Sequence, residues 1–206
     1  FFSIFWSIKL SETSKLNLKY CLSSIKDLLN SLFPKAKMIF FLFMDIILKN
    51  KIIYLNDYKI KCAIGKRGIK SKKREGDKCT PRGRLKLRYI FYRKDRIKKI
   101  KSKLKLIPLK KNYGWCDDVR SKSYNKFVKL PYKYKTEKLY LNNNTYDIII
   151  VTDYNSKPIK KEKGSAIFIH VAKKKLSPTS GCIALSKKNL KYLISTIKLN
   201  TFLNVI

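Results

Sequence analysis

The stretch SAIFIHVAKKKLSPTSGCIAL, residues 165–185, decides how this chain is read. It holds the only histidine, His170, and one of five cysteines, Cys182. A thiol is a strong nucleophile only as thiolate, and a neighbouring imidazole is the usual means of making one near neutral pH. Residues 165–171 are apolar and rich in β-formers, which predicts a buried strand. Residues 173–180 are basic and carry Ser177, Pro178, Thr179 and Ser180, which are turn signals. Residues 182–185 form a second short apolar run. Two strands so joined are expected to lie antiparallel, with His170 and Cys182 facing each other across the mouth of a hairpin. Period-two alternation puts His170 on one face with Ala166 and Phe168. Gly181, lacking a Cβ, lets backbone approach a ligand. The N–H groups of Gly181, Cys182 and Ile183 are candidate oxyanion donors. On residue types alone, a second reading stands beside this one. Cys182 is then a small buried hydrophobe and His170 a satisfied core residue.

Outward from this stretch the pattern is mainly β. Residues 46–48, 52–55 and 58–64 read as a short meander with turns at Lys49-Asn50-Lys51 and Asn56-Asp57. Residues 83–93 alternate, with Leu85, Leu87, Tyr89 and Phe91 against Lys86 and Arg88. Thr80-Pro81-Arg82-Gly83 makes a tight entry to that strand. Residues 94–111 are basic and aliphatic and read as a solvated connection. In GWCDDVRSKSYNKFVKLPY, residues 114–132, Asp117 and Asp118 are adjacent, so they need not face one site. Residues 137–140 and 146–152 read as strands around an Asn142-Asn143-Asn144 turn. Ser186 is a good N-cap for a helix over 186–198, with Leu190, Leu193, Ile194 and Ile197 on one face. Residues 202–206 read as a last strand.

Residues 1–43 differ in character. Apolar residues near helical spacing between Leu16 and Leu32 predict an amphipathic helix. The expectation is a peripheral N-terminal extension ahead of a catalytic domain over 44–206. It is read first as translated upstream sequence, with Met38 and Met44 as possible starts, and second as a membrane anchor. No apolar run reaches the roughly 18–20 residues of a membrane span, and no clear signal peptide is visible.

The 49 basic residues against 13 acidic give a net charge of +36, a balance that usually points to nucleic acid or an anionic surface. Three observations argue against nucleic acid. Lys, Ile, Asn, Tyr and Phe are abundant together, as in an A/T-biased genome. The lysines are spread over the whole chain. Arginine, the preferred base reader, is the minority cation. The odd cysteine count, the lack of a CxxC pair and the single histidine indicate no disulfide framework, metal site or cofactor.

Four motifs in order resemble the L,D-transpeptidase (YkuD-type) catalytic domain family. They are Thr80-Pro-x-Gly, Gly114-Trp-Cys-Asp-Asp, the run from Gly164 to His170, and Thr179-x-Gly-Cys. The match is to a branch with T-x-G-C in place of S-H-G-C. Ser180 stands where the second histidine usually sits, Val171 and Ala172 follow His170 in place of Gly and Ser/Thr, and Ala184 fills a slot often held by Arg or Asn. The resemblance implies a mainly β fold with α, a sandwich-like catalytic domain with one C-terminal packing helix. It implies Cys182 as nucleophile and His170 as its proton acceptor, with support from Gly181, Thr179, Val171 and Ile183. The Val171 carbonyl would orient the imidazole, and Thr179 would brace the loop. The implied activity is a cysteine acyltransferase on peptidoglycan stem peptides, which places the enzyme in the cell envelope or periplasm. A carboxypeptidase of the same fold is the near alternative. A non-catalytic basic protein binding RNA or an anionic surface is the distant one.

Overall fold

A computed structural model describes residues 46–72 and 74–206, and the expectations for the N-terminal extension lie outside them. The described chain is mostly β with one helix. The meander forms as the sequence predicts: β1 (Ile46–Lys49), β2 (Ile52–Leu55) and β3 (Tyr58–Ala63) pair antiparallel in succession. Two two-residue strands, β4 (Ile69–Lys70) and β5 (Thr80–Pro81), then pair parallel. The ten-residue β6 (Gly83–Tyr92) follows, and β7 (Lys105–Pro108) adds to it in parallel. The basic connection therefore contains a strand.

Three short strands, β8 (Tyr113–Cys116), β9 (Phe127–Lys129) and β10 (Thr136–Lys138), make a separate antiparallel sheet with β8 in the middle. The remaining elements are β11 (Ile148–Thr152), β12 (Phe168–Val171), β13 (Ile183–Leu185), α1 (Lys187–Thr196) and β14 (Phe202–Val205). In the main sheet the order runs β11-β12-β13-β3-β2-β1-β14-β6. Strand β6 pairs with β14 along Gly83–Lys86 and with β11 along Leu87–Tyr92, so the ladder closes on itself.

Closure gives the sheet an inside and an outside. Ile148 and Ile150 of β11 point inward, with Ile169, Val171, Ile183 and Leu185, into an aliphatic core. Helix α1 adds Leu190, Leu193 and Ile194 to that core. Its start is fixed as expected, since Ser186 Oγ accepts the Asn189 N–H at 3.2 Å. Ile149, Val151 and Phe168 point outward and are buried under the small sheet, against Trp115 and Leu139. The Trp115 and Phe168 rings meet edge to face, with centroids 5.1 Å apart. All five residues of β11 are therefore buried.

Two expectations need correction. Strand β12 begins at Phe168 rather than at residue 165, because the Ser165 N–H and hydroxyl are drawn aside by the Glu75 carboxylate. Strands β12 and β13 are parallel, with Ile169 level with Ile183 and His170 level with Ala184. They are not a hairpin. Residues 172–182 form a crossover containing a 3₁₀ turn at Lys174–Leu176, and β13 takes its antiparallel partner from β3 instead.

Candidate active site

Parallel pairing brings Cys182 and His170 together differently from a hairpin. Extending the register places Cys182 level with Phe168, and the Phe168 N–H donates to Cys182 Sγ at 3.3 Å. Side chains two residues apart share a face of a strand. Cys182 and Ala184 therefore share the outer face with Phe168 and His170, while Ile183 points into the core. His170 lies one diagonal step from Cys182 across adjacent strands, a spacing on the order of 7–8 Å between backbones that long side chains can span. Ala184, level with His170, has too little bulk to block that diagonal.

Both side chains line one cleft of about 630 Å³, between the outer face of β11–β13 and strand β10 of the small sheet. His170 is buried and Cys182 half-buried. The His170 Nδ1 lies 2.9 Å from the Val171 carbonyl oxygen. A carbonyl can only accept, so Nδ1 carries the proton and Nε2 is the basic nitrogen. Tyr146 closes the other side of the ring, edge to face at 5.4 Å. Burial holds the imidazole below its ordinary range and pushes the Cys182 thiol up to about 12, with the Glu137 charge adding to the latter. Both shifts favour a neutral imidazole and a neutral thiol over the ion pair. The Phe168 N–H opposes the rise by stabilising the thiolate.

The loop before Cys182 is pinned by backbone and hydroxyl bonds. Thr179 Oγ1 donates to the Cys182 carbonyl and accepts the Gly181 N–H at 3.1 Å. The Thr179 N–H donates to Ile64 O, and Thr179 O accepts from the Lys66 N–H, each at 2.9 Å. Gly181 has φ of 139°, and a Cβ there would lie 2.9 Å from the Cys79 carbonyl oxygen. Its glycine thus answers to close packing against the chain itself. Ile183 contributes a buried side chain and its ladder partnership with Ile169.

Residues of the other motifs support the site from beneath, together with Glu75, which the sequence did not single out. Thr80, fully buried, donates to the Gly181 carbonyl at 2.8 Å and accepts the Gly65 N–H at 2.8 Å. The Thr-Pro-x-Gly turn is thereby a strut under the nucleophile. Glu75 gathers the Tyr124 hydroxyl and the Ser165 N–H, each at 2.6 Å. Asn125 accepts the Trp115 indole N–H at 3.0 Å. These bonds explain the Trp and Tyr-Asn of residues 114–132 as scaffolding. Asp117 pairs with Lys135 and Asp118 with Arg120, so the adjacent carboxylates serve different partners. Cys116 is packed and fully buried.

A cysteine and a histidine on adjacent strands of a mainly β fold thus open on one cleft. The sequence model of the L,D-transpeptidase catalytic domain, YkuD, matches residues 45–206, and the chain belongs to that family. No curated protein matches the chain.

Proposed function

We propose that this protein is a cysteine acyltransferase that cross-links peptidoglycan stem peptides through a Cys182 thioester. The observation that carries the reading is the shared outer face of Cys182 and His170 in one cleft, with Nδ1 committed to Val171 O and Nε2 left to accept a proton. Because both groups favour the neutral form, proton transfer accompanies attack. Nε2 takes the thiol proton as Sγ adds to the carbonyl preceding a terminal D-residue. The Gly181 N–H, expected as an oxyanion donor, is spent on Thr179 Oγ1, which leaves the Cys182 N–H as the candidate donor to the developing oxyanion. The tetrahedral species collapses, the amine of the D-residue leaves with the proton from His170, and a thioester remains. An amine from a second stem attacks the thioester, its proton passing through His170 to the departing sulfur. Water in that role would make the enzyme a carboxypeptidase.

The substrate places the reaction in the cell envelope, outside the cytoplasm. Among the described residues, no helix is long and apolar enough to cross a membrane. The test is intact mass after incubation with a carbapenem-type acylating agent, then products from a tetrapeptide stem. An adduct at Cys182, absent in Cys182→Ala and strongly slowed in His170→Ala, supports the reading, as does a cross-linked dimer. An unmodified Cys182, or an adduct indifferent to His170, overturns it.

A further inference from the structure

The charge of the cleft departs from that of the chain. Basic residues outnumber acidic ones 49 to 13 in the sequence, yet the cleft is lined by Lys72, Lys135 and Lys173 against Glu75, Asp117 and Glu137. Most of these charges already have partners. Lys72 is bound to Asp77 at 2.6 Å, and Lys135 to Asp117 at 3.0 Å. Both Glu75 oxygens accept from Tyr124 or Ser165. Glu137 differs. Its Oε1 accepts the Tyr146 hydroxyl at 2.6 Å, and among the described residues its Oε2 accepts no hydrogen bond.

Position gives this carboxylate its interest. Glu137 is level with Trp115 across β10 and β8, so the pleat turns it to the side from which Trp115 meets Phe168 of β12. The Tyr146 ring that holds Glu137 also packs on His170. The side chain is open to the cleft, while the surrounding walls raise its carboxyl. Asp117 and Glu75 raise it further, and the Tyr146 hydroxyl and Lys135 oppose them. Glu137 in turn pushes the Cys182 thiol up. A negative charge beside a sulfur that must become negative opposes the reaction, unless a cation arrives with the substrate.

We propose that Glu137 binds a primary ammonium group of the substrate, and that the bound ammonium cancels the carboxylate charge and so frees the Cys182 thiol for deprotonation. This rests on the acyl-transfer reading of the same cleft and adds its selectivity. The ammonium belongs to the acyl donor, since the thiol loses its proton before an acceptor amine is used.

The test uses two thiol reagents of like size. Cationic 2-aminoethyl methanethiosulfonate and neutral methyl methanethiosulfonate react alike: the thiolate attacks the sulfenyl sulfur, a disulfide forms and methanesulfinate leaves. Rates at Cys182 are read by peptide mass and normalised to free cysteine. In the wild type the cationic reagent is expected to be faster by about tenfold or more, from one opposed charge at close range. In Glu137→Gln and Glu137→Ala the preference is lost, and the neutral reagent reacts faster than with wild type because the thiol titrates lower. An unchanged preference in both variants overturns the proposal. Failure of every acyl donor to modify Cys182 counts against the acyltransferase reading and leaves the reagent ratio standing. A further arm uses the substrate itself. A stem peptide with a free side-chain amine is expected to acylate Cys182 faster than its N-acetylated form, only when Glu137 is present. Equal acylation by the two forms overturns the proposal.

Discussion

The two faces of β11 and β12 are equally buried and do different work. Inward, Ile148, Ile150, Ile169 and Val171 meet the aliphatic side chains of α1 and β1–β3. Outward, the residues between them meet rings, hydroxyls and charges: Phe168 against Trp115, His170 against Tyr146. The inner face needs only shape and volume. The outer face is covered by a small sheet that stops short over His170 and Cys182, leaving the cleft. A single step along the strand therefore separates a residue whose loss costs stability from one whose loss costs chemistry.

Substitutions can break that division, and the largest effect belongs to the outer face. Cys182→Ala is expected to remove acyl-adduct formation outright. His170→Ala should slow it by about 10²–10⁴-fold, the range for a positioned general base. Both should keep the wild-type melting transition to within a few degrees. On the inner face, Leu193→Ala should cost about 2–5 kcal/mol in urea unfolding, as buried Leu truncations do. Its effect on adduct formation, measured well below the transition, should be small. A Leu193→Ala protein that is stable but inert would erase the distinction between the faces.

Thr80 tests the seam between them. Thr80→Val keeps the shape and strands the Gly181 carbonyl and the Gly65 N–H, at a cost of about 1–3 kcal/mol. It should also slow adduct formation, since the nucleophile loop loses its strut, and Thr80→Ser should restore both. The smallest effect is read by titration. His170 is the only histidine, so its ring protons give one resolved NMR signal. Burial holds its folded pKa below the unfolded value, so the unfolded chain binds the extra proton first. Stability should then fall as pH drops through the unfolded value of about 6.5. His170→Gln should flatten that part of the curve.

Much of this was legible in the sequence because it depends on local pattern. The meander, the alternation of β6, the Ser186 cap and the apolar face of α1 follow from residue periodicity and capping. Cys182 and His170 were legible as a candidate pair from their residue types. Their relation was not, because the loop after His170 carries turn signals that suit a hairpin. Only the capture of β13 by β3 forces a parallel partner on β12. Strand β7 was hidden because its apolar residues sit in a lysine run, where one edge pairing with β6 outweighs composition. Glu137 and Tyr146 carried no motif. They are nine residues apart, Glu137 on β10 and Tyr146 in the turn before β11, and the Tyr146 ring that bonds Glu137 packs on His170.

The closed ladder has a further effect on β12 and β13. Their outer surface lines the cleft and stays uncovered there. Each nevertheless has a hydrogen-bonded strand on both flanks, β11 and β13 for one, β12 and β3 for the other. Neither offers a bare row of amides on which a stray chain could template itself. The cleft can thus stay open on these strands without inviting edge-on aggregation there.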